Sequence, residues 1–256
     1  MTPNIQLYQG DCLEVMKNIP DKSVDLVLTD PPYGTTACKW DSVIPLEPMW
    51  KELKRITRPN SAIVLFGTEP FSSTLRISNK DYKYDWIWEK NTGTNFLHAK
   101  RMPIRFTENI HVFIEGSSWY YPQKTTGHAP TNSGVGRNTG NVYSGNSKVN
   151  YKGGDTTRFP KNIIEFKSVN NYKRIHPTEK LVALMEYLIK TYSNEGDVVL
   201  DFTMGSSTTA IASLNTNRNF IGIEKDENYF NIGVNRVKEH IKCQDLKTEL
   251  VINTGD

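Results

Sequence analysis

The run Val24-Asp25-Leu26-Val27-Leu28-Thr29 constrains this chain more than any other stretch. Five of its six residues are apolar or β-branched, which reads as a strand buried on both faces inside a parallel sheet. It closes on Asp30-Pro31-Pro32-Tyr33, so these residues lie at the strand's carboxyl end, the edge where open α/β sheets bind ligands. Two successive prolines remove two backbone donors and fix φ, which holds the carbonyls of Asp30 and Pro31 rigid. A carboxylate, preset carbonyls and an aromatic face suit a planar substrate bearing an amino group: the oxygens accept its two hydrogens and the Tyr33 ring stacks on its plane. In isolation, a strand ending in a Pro-Pro turn with Tyr33 as packing would look the same, so the rest of the chain decides.

Other apolar runs also deliver a carboxylate to their carboxyl end. Ile5 to Tyr8 alternates and ends at Gly10-Asp11, a helix over 12–19 is stopped by Pro20, and the strand into Asp30 completes a βαβ unit. Residues 34–41 read as a loop over the strand end, with Trp40 either closing on a bound base or anchoring its own loop. A helix over 46–56 follows, ended by Arg58-Pro59-Asn60, then a strand over 61–66 and a helix over 71–77. Strands are expected at 82–88 and 110–114. The connection between them carries Lys100, Arg101 and Arg105 among Asn, Thr and Phe, and suits either a phosphate backbone or plain solvent. A strand at 163–166 precedes His176-Pro177-Thr178-Glu179-Lys180, which opens a helix to Tyr192 with a wide apolar face.

Asp197 to Asp201 is a further strand with a terminal carboxylate. A turn through Thr203, Gly205, Ser207 and Thr208, a helix over 210–214 and a strand over 219–224 ending in Glu224 come next. A strand, turn, helix and second strand with a terminal acid about twenty residues on resemble the first half of a nucleoside-binding α/β fold, the acid accepting both ribose hydroxyls. The phosphate-binding glycines and the GK[ST] loop are missing, which points to a nucleoside without phosphates. A helix over 229–241 closes the pattern, and the last dozen residues read as a frayed tail.

At 256 residues, with 23% charged and 37% hydrophobic residues, the chain fits one α/β domain with an insertion. No stretch approaches a membrane span and the first residues lack a signal-peptide core, so no membrane contact and a cytoplasmic location are expected. Cys12, Cys38 and Cys243 suggest neither a disulfide frame nor a zinc site, and the five histidines form no HxxxH or HExxH spacing. No catalytic metal is expected.

The net charge of +3 is unevenly placed: residues 117–180 hold ten Lys/Arg against three acids, which leaves the remainder at −4. From Ser117 to Pro160 the chain is rich in Gly, Ser, Thr and Asn. Lys124, Arg137, Lys148, Lys152 and Arg158 are interleaved with tyrosines and accompanied by one acid, Asp155. Cations for phosphates and rings for bases are what a nucleic-acid contact requires. A flexible insertion is the alternative.

Taken together, these residues resemble the β class of DNA amino-methyltransferases, over about Ile5 to Ile241. Asp30-Pro31-Pro32-Tyr33 is similar to that family's catalytic motif, Gly10-Asp11 to its adenine-contacting tip, and His176 to Lys180 to the HPTEK sequence beside the cofactor's methionine portion. Asp201 to Thr209 resembles DPFxGSGTT, and Glu224 the ribose-binding acid. The resemblance implies a Rossmann-like, circularly permuted α/β methyltransferase fold. Its single sheet has seven strands in the order 3-2-1-4-5-7-6, the seventh antiparallel, with a target-recognition region at about 117–170. It implies S-adenosylmethionine as cofactor and adenine in DNA as substrate. Asp30, Pro31, Pro32 and Tyr33 are then catalytic, and Asp11, Asp30, His176, Thr178, Lys180, Asp201, Thr203, Gly205, Ser207, Thr208 and Glu224 lie at the cofactor. Lys39, Trp40, Lys100, Arg101, Arg105 and the basic residues of the insertion lie at DNA. The resemblance leaves a homodimer and a separately encoded restriction enzyme open. One departure stands out: Phe202 and Thr203 replace the family's Pro and Phe, and Ser207 its second Gly. If that Gly requires φ > 0, Ser207 costs about 1 kcal/mol or more.

Overall fold

The computed structural model describes residues 2–34, 42–117, 119–137, 148–166 and 180–254, with the backbone alone at 135–137 and 148–151. The chain forms two compact units, Met1–Tyr121 with Asn162–Asp256, and Pro122–Lys161. In chain order the strands are β1 (Asn4–Gln9), β2 (Val24–Thr29), β3 (Thr57–Gly67), β4 (Tyr82–Thr94), β5 (Arg105–Ile114), β6 (Gly134–Arg137), β7 (Lys148–Tyr151), β8 (Ile163–Glu165), β9 (Val198–Asp201), β10 (Asn219–Glu224) and β11 (Glu249–Thr254). The helices are α1 (Cys12–Val15), α2 (Leu46–Ile56), α3 (Phe71–Ser78), α4 (Val182–Tyr192), α5 (Thr208–Asn215) and α6 (Glu227–Cys243).

The large unit is built on one sheet in the order β11-β1-β10-β9-β2-β3-β5-β4-β8. Counted from β9 as first, with β10, β1, β2, β3, β4 and β5 following, its seven middle strands run 3-2-1-4-5-7-6. β5 is antiparallel to both β3 and β4. The permuted methyltransferase architecture is therefore present, but among the described residues the strand count of this sheet is corrected from seven to nine. β8 extends the sheet beside β4, and β11, expected as a frayed tail, pairs in parallel with β1 from Asn4↔Glu249 to Gln9↔Thr254. Leu250 and Ile252 pack on the core, so this last segment buries apolar surface while covering an open edge.

Alternation along the strands divides the core into two layers. Ala62, Val64 and Phe66 of β3 join Leu26 and Leu28 beneath α4, α5 and α6, whereas Ile63 and Leu65 join Val27 beneath α1, α2 and α3. Helices cover both faces, the arrangement expected of continuous apolar strands. Two boundaries differ from expectation. β3 begins at Thr57, so Arg58, Pro59 and Asn60 already belong to the strand; Asn60 adopts φ +67° and the register against β2 shifts between Val24 and Leu26. Residues 90–108, expected as a connection, instead extend β4 and β5 into a long hairpin.

In the small unit β6 and β7 pair antiparallel, and Thr125 and Arg158 form an antiparallel bridge. The Arg158 guanidinium donates to the carbonyls of Ala129, Asp155 and Thr157 and so braces this unit. Lys124 lies 4.3 Å above the Phe159 ring, and Lys152 is exposed.

Candidate active site

Parallel strands bring their carboxyl ends to one edge, and there Asp30, Asp201 and Glu224 meet. Thr29 stitches β2 to β9: its hydroxyl donates to Asp201 Oδ1 at 2.7 Å and accepts from the Phe202 amide at 3.0 Å. The Thr203 hydroxyl donates to the Asp30 carbonyl at 3.1 Å, so one of the two preset carbonyls already has a partner. A cavity of about 530 Å³ opens at this edge, lined among others by Asp11, Asp30, Pro31, Thr203, Gly205 and Glu224.

The Asp30 carboxylate sits in a buried ion network. Lys180 Nζ lies 2.6 Å from Asp30 Oδ2 and 2.8 Å from Glu108 Oε1, and Lys90 Nζ lies 3.3 Å from Glu108 Oε2. The Tyr33 hydroxyl donates to Asp30 Oδ1 and lies 3.1 Å from Glu108 Oε1. Burial pushes the Asp30 carboxyl above its ordinary range, with Glu108's charge adding to burial and Lys180 opposing both. Burial acts the same way on Glu108, but Lys180 and Lys90 outweigh it and hold that carboxyl low. Burial disfavours the Lys180 ammonium, yet its two carboxylate partners raise its pKa. Two cations thus balance two carboxylates in a site of low dielectric.

The residues expected at the cofactor divide by what they touch. Glu224 accepts the Gly205 amide at 2.9 Å on one oxygen and the Asp226 amide at 2.8 Å on the other. A carboxylate has about four acceptor directions, so acceptor capacity remains for ligand hydroxyls. Burial raises the Glu224 carboxyl against the backbone amides of Asp226, Gly205 and Lys225. Asp11 caps α1 through the Leu13 amide at 3.0 Å and pairs with Lys225 at 3.1 Å, yet still lines the cavity. Asp201 is buried and holds the turn together, accepting from Thr29, from Thr209 at 2.5 Å and from the Thr203 amide at 3.2 Å; burial raises its pKa to about 6. Thr208 lines the cavity and accepts from Arg236 at 3.0 Å. Ser207 does adopt φ +61°, and its fully buried side chain packs toward Gly233 of α6. Lys180 lines the cavity as well, but its ammonium belongs to the Asp30 network.

Lys39, Trp40, His176 and Thr178 lie outside the described residues, and Arg137 and Lys148 are described by backbone alone. Lys100, Arg101 and Arg105 are exposed on the β4–β5 hairpin. Glu108, Lys90 and Phe71 were missed by sequence reasoning. Phe71 stacks on Tyr33 with ring centroids 5.3 Å apart at 27°. Glu108 had a legible signal, because Ile110, Val112 and Ile114 alternate into one core layer and Glu108 is the next position on that face. Trp86, Trp88 and Lys90 show the same pattern on β4.

Ser72, His111 and Asp85 form a second polar line, with Ser72 Oγ 2.8 Å from His111 Nε2 and His111 Nδ1 2.6 Å from Asp85 Oδ1. Ser72 and His111 are fully buried, so this line ties α3 to β4 and β5 and offers no reacting atom to a substrate. Burial pushes the Cys12 thiol up to about 12, which removes it as a nucleophile. Among the described residues no His, Cys, Asp and Glu group could hold a metal ion, and no helix is long and apolar enough to cross a membrane.

The chain is 29% identical over 253 residues to the type II methyltransferase M1.MboII of Moraxella bovis, covering 88% of this chain and 94% of that protein. It is 27% identical over 272 residues to the DNA adenine methyltransferase YhdJ of Escherichia coli (strain K12), covering 98% and 89%. The crystal structure of the M1.HpyAVI–SAM complex superposes with a TM-score of 0.62 at 27% identity, covering 91% of this chain and 98% of that one. A family profile described as DNA methylase matches residues 24–235, and the chain belongs to that family.

Proposed function

We propose that this protein transfers a methyl group from S-adenosylmethionine to the exocyclic amino group of adenine in DNA. The observation that carries the reading is the placement of Asp30, Asp11 and Glu224 around one cavity, with the charge of Asp30 balanced by Lys180. The residues fit the cofactor: Glu224 keeps acceptor capacity for ribose hydroxyls, Asp11 is assigned to the adenine end, the sequence has no phosphate loop, and among the described residues the cavity's cations Lys180 and Lys225 are paired with Asp30 and Asp11. When bound, S-adenosylmethionine supplies an electrophilic methyl group on its sulfonium. Adenine is favoured because one relative is named an adenine methyltransferase and because Asp, in the first position of the motif, resembles the adenine-modifying members.

The amino nitrogen is a poor nucleophile because its lone pair is delocalised into the ring. Asp30 accepts one of its hydrogens and the Pro31 carbonyl the other, which localises the lone pair on the face turned toward the sulfonium. Asp30 also stabilises the positive charge that develops on the nitrogen as the N–C bond forms and the methyl–sulfur bond breaks with its electron pair on sulfur; that charge is discharged when one amino hydrogen leaves as a proton to water. To do so it exchanges its bond from Tyr33 for one from the substrate, while Lys180 stays on its other oxygen. Tyr33, backed by Phe71, stacks on the base. The base reaches this site only when extruded from the duplex. The segment 117–170, with its basic unit, is assigned to target recognition, and the type II relatives suggest a restriction–modification setting in the cytoplasm.

The test is transfer of labelled methyl from S-adenosylmethionine to unmethylated genomic DNA, followed by digestion to nucleosides and mapping. Label in methyladenine at a recurring short sequence is expected. Label in methylcytosine would correct the base, and absence of label with cofactor binding intact would overturn DNA as the substrate.

A further inference from the structure

The β4–β5 hairpin exposes an unusual amount of apolar surface at its tip. Phe96 is 69% exposed, Leu97 84%, Met102 50% and Phe106 44%, within eleven residues. Contiguous exposed apolar surface of this kind marks a contact site more often than an accident of folding.

The tip is ordered by its own bonds. Asn95 takes φ +60° and its side-chain oxygen accepts the Arg105 amide at 3.0 Å, which closes the hairpin. The chain then turns through Phe96–His98, and the amides of Arg101 and Met102 return to the His98 carbonyl at 2.8 and 3.0 Å. Gly93 is required beneath, since a Cβ there would lie 2.3 Å from Ile104 Cγ2. Phe96 and Leu97 are thus presented to solvent by a specified turn.

Charge and position indicate what they meet. Residues 90–107 contain Lys90, Lys100, Arg101 and Arg105 and no acid. β3 and β4 both flank antiparallel β5 and so run parallel to each other, and β2 is parallel to β3, so the hairpin leaves the sheet at the same carboxyl edge as Asp30. Its base carries Lys90 and Glu108 of the ion network. Cations beside exposed rings match a polyanion with stacked bases, the arrangement by which apolar side chains enter a base step. A second copy of this chain would bring like charges together on the same surface, which disfavours self-association.

We propose that the β4–β5 tip is a wedge: Phe96 and Leu97 enter the base stack of duplex DNA beside the target while Lys100, Arg101 and Arg105 hold adjacent phosphates. The inference rests on the proposed DNA methyl transfer. The wedge fills the gap left by the extruded base and lowers the cost of extrusion, so its effect depends on the duplex.

The test compares the full-length protein with F96A/L97A, substitutions at exposed positions whose folding is checked by thermal melting. Single-turnover transfer at saturating cofactor is measured on a duplex, on the same duplex with a mismatch opposite the target, and on the single strand. A fall of about tenfold or more on the duplex, partly restored by the mismatch and small on the single strand, is expected. An equal fall on all three, or none on the duplex, overturns the wedge. Competition binding between intact and abasic duplexes needs no transfer: F96A/L97A should prefer the abasic duplex more strongly than the wild type does, because without the wedge only the intact duplex carries the full cost of extrusion. Unchanged preference overturns the wedge, whereas wild-type binding without transfer on any DNA overturns the function alone. A wild-type dimer by sedimentation that F96A/L97A converts to monomer would reassign the tip to contact between copies.

Discussion

The hydroxyl oxygen of Ser207 lies 2.4 Å from where a Cβ on Gly233 would stand. Ser207 occupies a left-handed position at φ +61°, and α6 makes room for its side chain by having no side chain at the facing position. The pair explains how a turn resembling a glycine-rich motif tolerates serine: backbone strain remains, but steric conflict does not.

Gly233→Ala should therefore destabilise the protein by about 1 to 3 kcal/mol. Adding Ser207→Gly should recover part of that loss, because it removes the clashing oxygen and relieves a left-handed residue of about 1 kcal/mol, while the Gly205 carbonyl 3.0 Å from the same Cβ position remains. Denaturant melts of the two single variants and the double variant check this, and additive effects would show that the two sites are not in contact.

Asp30→Asn keeps the shape of the carboxylate and leaves Lys180 paired with Glu108. Methyl transfer should fall about a thousandfold or more, as when a charge-stabilising group is removed from a water-poor site. Cofactor binding, followed by calorimetry, should change by no more than a few fold. Turnover close to wild type would remove Asp30 from its role.

Glu108→Gln removes one member of a buried network in which Lys180 and Lys90 both depend on that carboxylate. A loss of about 3 kcal/mol in unfolding free energy is expected, because an uncompensated buried cation remains. The folded-state pKa of Glu108 lies below its ordinary value, so the stability it contributes is present above the unfolded pKa and fades as pH falls through the folded one. The deficit of Glu108→Gln, measured by urea titration, should shrink on acidification.

Asp201 has the opposite sign. Its folded pKa is raised to about 6 from 3.8, so its contribution is fully present below the unfolded value and is lost as pH rises through about 6. A shift of this size corresponds to about 3 kcal/mol. The unfolding free energy of the wild type minus that of Asp201→Asn should rise by about that amount between pH 7 and pH 4.

Glu224→Gln should weaken S-adenosylmethionine binding about tenfold to a hundredfold, since a charged acceptor for two hydroxyls becomes a neutral one. The Gly205 and Asp226 amides also lose a charged acceptor, so a thermal melt without cofactor separates turn stability from affinity.

Much of the fold was legible because it repeats a local rule. Val24 to Thr29, Ser61 to Phe66 and Asn219 to Glu224 are runs that end where a parallel strand ends, and the structure starts or stops them within a few residues of expectation. β11 was not legible, since Leu250 and Ile252 alternate over too short a stretch to be distinguished from a tail until β1 offers an edge. The hairpin beyond Trp88 escaped for a similar reason: Lys90 to Thr94 is polar, and its pairing with Arg105 depends on the turn that Asn95 makes.

The sequence by itself determined which residues carry charge to the sheet edge: Asp11, Asp30, Asp201 and Glu224 each follow an apolar run, and a strand's period and direction place them at one rim. Only the tertiary structure decided how those charges are compensated. Lys180 reaches Asp30 across 150 positions of sequence, Glu108 joins both from β5, two strands away from β2, and Ser207 is accommodated by a glycine on a distant helix. Side-chain periodicity is a local property of the chain, whereas the pairing of buried charges and the fit of one side chain against another depend on distances that exist only once the strands have been ordered.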